Sequence, residues 1–112
     1  MTYEIYSRPE SYGLRMIGEV DWSDGCYQFD LTVVWQDTTT GALYYADDSG
    51  CSCPSPFEDT DRSNLTLIDR PQVLIDHVNE RIAGLYDFNA SENERAKGEA
   101  GQLVLKAREA LR

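Results

Sequence analysis

At 112 residues, with 41% apolar side chains and two Trp, seven Tyr and three Phe, the chain can bury one hydrophobic core, which excludes a disordered polymer and two independent domains. The net charge of −10 is uneven: residues 1–62 carry 12 acids and 3 bases, residues 63–112 carry 8 acids and 7 bases, so net −9 and −1. Such a surface repels nucleic-acid phosphates and anionic lipid and attracts basic partners, which argues against direct DNA or RNA binding, although acidity also serves plain solubility.

Met1-Thr2-Tyr3-Glu4-Ile5-Tyr6 has neither a basic n-region nor an apolar h-region, and no apolar run nears the ~18–20 residues of a membrane span. A cytoplasmic protein without membrane contact is expected. In that compartment the sequons at Asn64 and Asn89 carry no glycosylation meaning, and three cysteines read as free or metal-bound thiols rather than a disulfide framework.

Taken in order, residues 1–13 show no sustained period and predict an extended arm with a short strand at 3–6. Leu14, Met16, Val20 and Trp22 alternate with Arg15, Glu19 and Asp21, the period-2 pattern of a half-buried strand, blurred at Ile17 and Gly18. Ser23-Asp24-Gly25 supplies hairpin chemistry. The clearest strand follows, with Tyr27, Phe29, Leu31, Val33 and Trp35 on one face and Gln28, Asp30, Thr32 and Gln36 on the other, broken only by Val34. A turn at 37–41 leads to a third strand at 42–46, so an antiparallel meander is the simplest arrangement.

Residues 47–64 read as a long loop, a length that points to function or disorder. A short fourth strand is expected at 65–68. Pro71 fits the first turn of a helix, with Asp69 as a capping candidate, and Val73, Leu74, Val78, Ile82 and Leu85 recur at helical spacing. Ser91-Glu92-Asn93-Glu94 reads as a capping box opening a second helix that ends near Leu111. Its stripe of Ala96, Ala100, Leu103, Ala107 and Leu111 predicts close packing on the preceding helix or on another subunit, and Gly98 and Gly101 weaken it as an isolated helix.

Chemistry concentrates in Tyr44-Tyr45-Ala46-Asp47-Asp48-Ser49-Gly50-Cys51-Ser52-Cys53-Pro54-Ser55-Pro56-Phe57. Cys51 and Cys53 with Cys26 and His77 offer three thiolates and an imidazole to a zinc ion, but one intervening residue is not the spacing of a zinc knuckle. Asp59-x-Asp61-x-Ser63 begins a calcium-loop pattern and lacks its glycine and distal glutamate; acids beside turns also bond local N–H groups. His77 is expected to pack beside an apolar stripe with one ring nitrogen bonded, and a Cys–His pair would need Cys51 or Cys53 within its reach. No phosphate loop, nucleophile elbow or His-Glu-x-x-His is present, so the chain reads as no enzyme, with no cofactor beyond the zinc alternative. Tyr44 and Tyr45 face opposite sides of a strand, which leaves one of them for an exposed contact.

Gly18-Glu19-Val20-Asp21, Val33-Val34-Trp35 and above all the run from Tyr44 to Phe57 with Glu58 resemble a family of small uncharacterised proteins encoded by phages and prophages of actinobacteria. The resemblance spans about residues 14–60. It implies a setting and no mechanism: a phage accessory protein in the cytoplasm of a mycobacterium-like host.

The expected fold is one α+β domain, a meander of three or four strands (1–68, with the long loop) and two C-terminal helices (69–112) packed on its apolar face. The leading expectation for function is non-enzymatic binding of a host or phage protein, basic in character, through the acidic sheet edge and the 47–58 loop, with Tyr45, Asp47, Asp48, Phe57 and Glu58 as contacts. The alternatives are a metal- or small-ligand-binding module at Cys51 and Cys53, and an acidic DNA mimic. The chain is expected as a monomer or homodimer.

Overall fold

Alternating apolar side chains build a sheet in which both faces are covered, each by a different part of the chain. The computed structural model describes residues 4–23, 28–51, 56–85 and 90–111, and of Gln28, Cys51 and Ala90 the backbone alone. Strands β1 (Leu14–Asp21), β2 (Gln28–Asp37), β3 (Leu43–Cys51) and β4 (Thr66–Ile68) pair antiparallel in the order β1-β2-β3-β4, followed by helices α1 (Pro71–Ala83) and α2 (Ala90–Ala110). This is the expected α+β meander. Tyr27 and the Asp24-Gly25 turn lie outside the described residues.

The helices cover the opposite face from the one expected. Leu31, Val33 and Trp35, the most regular apolar row, pack with Ile5, Leu14, Ala46 and Phe57 beneath residues 4–12 and 56–65. The helix-side core instead gathers Val20, Trp22, Val34, Leu43 and Ile68 against Leu74, Val78, Ala96, Ala100, Leu103 and Ala107. Val34, which breaks an otherwise polar row, is thus the anchor of β2 on that side. Its polar neighbours are tolerated there because each finds a partner: Asp30 meets Arg81, Thr32 meets Trp22 and Asp47, and Gln36 Nε2 donates to the Ala110 carbonyl.

β1 changes face midway. Met16 lies opposite Trp35 and Gly18 opposite Val34, leaving Ile17 as the extra residue of a bulge. One inserted residue inverts the alternation. Leu14 and Met16 therefore join the Trp35 side and Val20 and Trp22 the helix side, although all four are even-numbered. At Gly18 a Cβ would stand 3.0 Å from Leu103 Cδ1, so the bare backbone admits α2 to the sheet. α2 accordingly packs mainly on β1 and also on α1, so the expected contact with the preceding helix is present beside a larger one with the sheet.

The ends of elements also depart from expectation. Among the described residues at the N-terminus, 5–7 form a turn and Pro9–Tyr12 a 3-10 helix, rather than a strand: Arg8 N–H closes the turn on the Glu4 carbonyl, with Ile5 fully buried. Pro71 does open α1, but extended Arg70 precedes it and no side chain caps it, so Asp69 has no capping role. α2 begins at Ala90, which places Ser91 inside the first turn, where it cannot be the cap. The capping box is found at Asp61 instead. Its carboxylate accepts from Ser63 N–H while the Asn64 side chain accepts from Asp61 N–H, each closing the short 3-10 turn Arg62–Asn64.

Candidate functional site

β3 does not stop at Ala46. It runs on through Asp47, Asp48, Ser49 and Gly50 to Cys51, paired with β2 throughout, so the first part of the expected 47–64 loop is strand. Alternation then separates the two aspartates. Asp47 turns under α1 and Asp48 to the opposite face.

Asp47 is the centre of a polar seam between sheet and helix. Its Oδ1 accepts from the Thr32 hydroxyl, which in turn accepts from Trp22 Nε1 at 2.8 Å. Its Oδ2 lies 2.7 Å from His77 Nε2 and 3.1 Å from Arg81 Nη1. Arg81 also reaches Asp30 Oδ2 at 2.6 Å and lays its guanidinium 5.4 Å over the Trp22 ring. The His77 ring tilts against Tyr45 with centroids 4.4 Å apart.

The spacing that creates this seam is simple. His77 and Arg81 are one helical turn apart on α1, and Tyr45 and Asp47 are two apart on β3, so each pair shares a face. Burial pushes the Asp47 carboxyl up, but the hydrogen bonds from His77 and Thr32 and the charges of His77 and Arg81 bring it below the ordinary carboxylate value. Burial also works against the Arg81 charge, and Asp30 and Asp47 more than offset it. Both carboxylate oxygens and the fully buried Thr32 hydroxyl are engaged, so the seam joins α1 to β2 and β3.

On the other face Asp48 accepts from Phe57 N–H at 2.7 Å. Phe57 is fully buried, edge-on to Trp35 at 5.2 Å and stacked on Tyr6 at 5.9 Å, with φ 61°. Its side chain is therefore an internal anchor and not a partner contact. Tyr45 is likewise occupied by His77, and Tyr44, on the opposite face as expected, lies under Arg62 at 5.6 Å. Glu58 is exposed.

Two arginine clamps had no sequence signal strong enough to single them out. Arg62 pairs with Asp37 at 2.6 Å and donates to the Tyr12 carbonyl, tying segment 56–65 and the N-terminal arm to the β2–β3 turn. Backbone N–H donors of Thr40 and Thr39, with Arg62, pull the Asp37 carboxyl down to about 2. Arg95 pairs with Glu92 and Glu99 and donates to the carbonyls of Asp21 and Ser23, fixing α2 to the end of β1. Glutamates three before and four after an arginine were its only trace.

Of the four metal-ligand candidates, only His77 has a described side chain, and Asp47 holds it; Cys26, Cys53 and the Cys51 side chain lie outside the described residues. Among the described residues no group of three or more His, Cys, Asp or Glu could hold a metal ion, and no helix is long and apolar enough to cross a membrane.

The remaining feature is an edge. β4 pairs only with residues 43–45 of β3, so among the described residues no strand lies beyond residues 46–51. The bond from Asp37 N–H to the Ala42 carbonyl sets the phase of the β2–β3 ladder. By antiparallel alternation Tyr44, Ala46, Asp48 and Gly50 direct their backbone groups to β2, and Asp47 and Ser49 direct theirs outward. Both outward residues are exposed.

No curated protein and no solved structure matches the chain. Residues 3–108 match the family described as Domain of unknown function (DUF7574), and that span is nearly the whole chain. The protein therefore belongs to the DUF7574 family.

Proposed function

We propose that the protein is a non-enzymatic accessory protein of an actinobacteriophage that binds a host or phage protein in the host cytoplasm, through the acidic sheet edge and segment 47–58. The observation that carries this reading is the outer edge of β3, which is bare of strand neighbours among the described residues and lies in the half of the chain with net charge −9. A sheet edge of that length is a ready site for another chain. The phage setting is supported by the resemblance of the run from Tyr44 to Glu58.

The candidate contacts divide by geometry. Tyr45, Asp47 and Phe57 hold the fold behind the edge, while Asp48 and Glu58 border it, with Asp59 exposed beside them. The test reverses charge where no contact among the described residues is lost. Glu58→Lys with Asp59→Lys, compared with wild type by cross-linking and mass spectrometry in a mycobacterial host, should lose a specific protein adduct. An identical adduct set would remove the basis of the reading.

A further inference from the structure

Resting on that reading, we infer that the partner contributes an extended segment carrying Lys or Arg, which pairs as an added strand with the outer edge of β3 at Asp47 and Ser49. Residues 46–51 offer about 17 Å of strand at the usual rise, enough for a partner segment of roughly five or six residues. Their outward N–H and C=O groups recur at every second residue, the spacing that main-chain pairing uses.

Carboxylates stand on both faces of this edge, beside His77 and Arg81 on the helix side, where both already engage Asp47. On the helix side Glu80, exposed and one turn from His77, lies on the same flank of α1 as the seam with Asp47. On the opposite side stand Asp48, joined to Phe57 N–H, and the adjacent exposed Glu58. Side chains of an added strand point alternately to these two faces, so basic residues at either parity meet a carboxylate. A second copy of this chain is the poorer occupant. Its own Asp48, Glu58 and Glu80 would be set against their counterparts, and like charges across a strand pair are destabilising.

The experiment uses the full chain and an end-blocked peptide of four Lys-Val repeats, with four Glu-Val repeats as the charge control. Backbone amide exchange is followed by NMR. The Lys-Val peptide is expected to slow exchange at Asp47 and Ser49 at least tenfold near saturation, and the Glu-Val peptide to leave it unchanged. Ser49→Pro removes one outward N–H without touching the ladder to β2 and should weaken binding at least tenfold. A Lys-Val peptide N-methylated at every residue, which leaves no N–H on either of its edges, tests the same bond from the other side, whether or not that variant folds. Binding of the basic peptide with no change at Asp47 and Ser49, and equal binding of its methylated form, would overturn strand addition while leaving a basic partner in place. No binding of the Lys-Val peptide would overturn the inference, and the cross-linking result with Glu58→Lys and Asp59→Lys would still decide the broader reading separately.

Discussion

Asp47 and His77, thirty positions apart, meet with Nε2 2.7 Å from Oδ2, and Arg81 closes on the same oxygen at 3.1 Å. This contact is one of those that fasten the strand half of the chain to the helical half. Asp47→Asn keeps an oxygen for the Thr32 hydroxyl but removes the charge that His77 and Arg81 face. Breaking a fully buried pair costs about 3–5 kcal/mol; these side chains keep some access to water, so a loss of about 1–2 kcal/mol is expected. Urea unfolding at neutral pH measures it, and an unchanged midpoint would show that the seam is not holding α1.

Acid should unfold the protein in a defined window. Asp47 and Asp37 both titrate below the ordinary carboxylate value, Asp37 at about 2. A depressed folded-state value means that the stabilisation is complete above the unfolded value of about 4 and is lost as pH falls through the folded one. Stability should therefore fall between about pH 4 and pH 2. Asp61 is lowered as well, by its bonds to Ser63, and Asp37→Asn lacks one of these three groups, so its stability should fall less steeply, and the gap between variant and wild type should narrow toward pH 2. Chemical unfolding of both proteins across pH 2–6 gives the two curves; parallel curves would remove Asp37 from the account.

The sheet was legible in the sequence because period-2 alternation is local, and Phe29 to Trp35 displays it without needing any other part of the chain. Which face the helices cover was not legible, since it depends on Asp30, Thr32 and Gln36 finding partners in Trp22, Asp47, Arg81 and the Ala110 carbonyl. Those are contacts between distant segments, and no spacing rule reports them. The length of β3 was hidden for a related reason. Asp48, Ser49 and Gly50 are poor strand formers, and their pairing with β2 overrides that preference. The bulge at Ile17 left a visible disturbance in the alternation, but its consequence, a change of face for Val20 and Trp22, needs the partner strand to be seen. His77 was read as a packing residue with one ring nitrogen bonded, and it packs on Tyr45 with Nε2 on Asp47; only the identity of that partner, thirty residues away, gave no signal.

Phe57 should behave as a core residue despite standing in a Pro- and Ser-rich segment. It is wholly buried between Tyr6 and Trp35, and its backbone N–H is bonded to Asp48. Phe57→Ala leaves a cavity on the side of the sheet away from α1 and α2, at an expected cost of about 3–5 kcal/mol. Thermal unfolding followed by near-ultraviolet circular dichroism reports both stability and the Trp35 environment. A variant with wild-type melting and an unchanged aromatic signal would contradict the packing.

The glycines of β1 and α2 should respond to alanine with opposite signs. At Gly98 and Gly101 a Cβ would meet nothing within 4 Å. Each alanine there restricts the unfolded chain and favours the helix, for a gain of about 0.5–1 kcal/mol. At Gly18 the new Cβ would stand 3.0 Å from Leu103 Cδ1, the end of a buried side chain that would have to shift by a few tenths of an ångström. Overpacking of this kind costs about 1–3 kcal/mol. Denaturant melts of Gly18→Ala and Gly98→Ala, each against wild type, decide the matter. If Gly18→Ala were as stabilising as Gly98→Ala, α2 would not be resting on the bare backbone of β1, and the assignment of its larger contact to the sheet would have to be withdrawn.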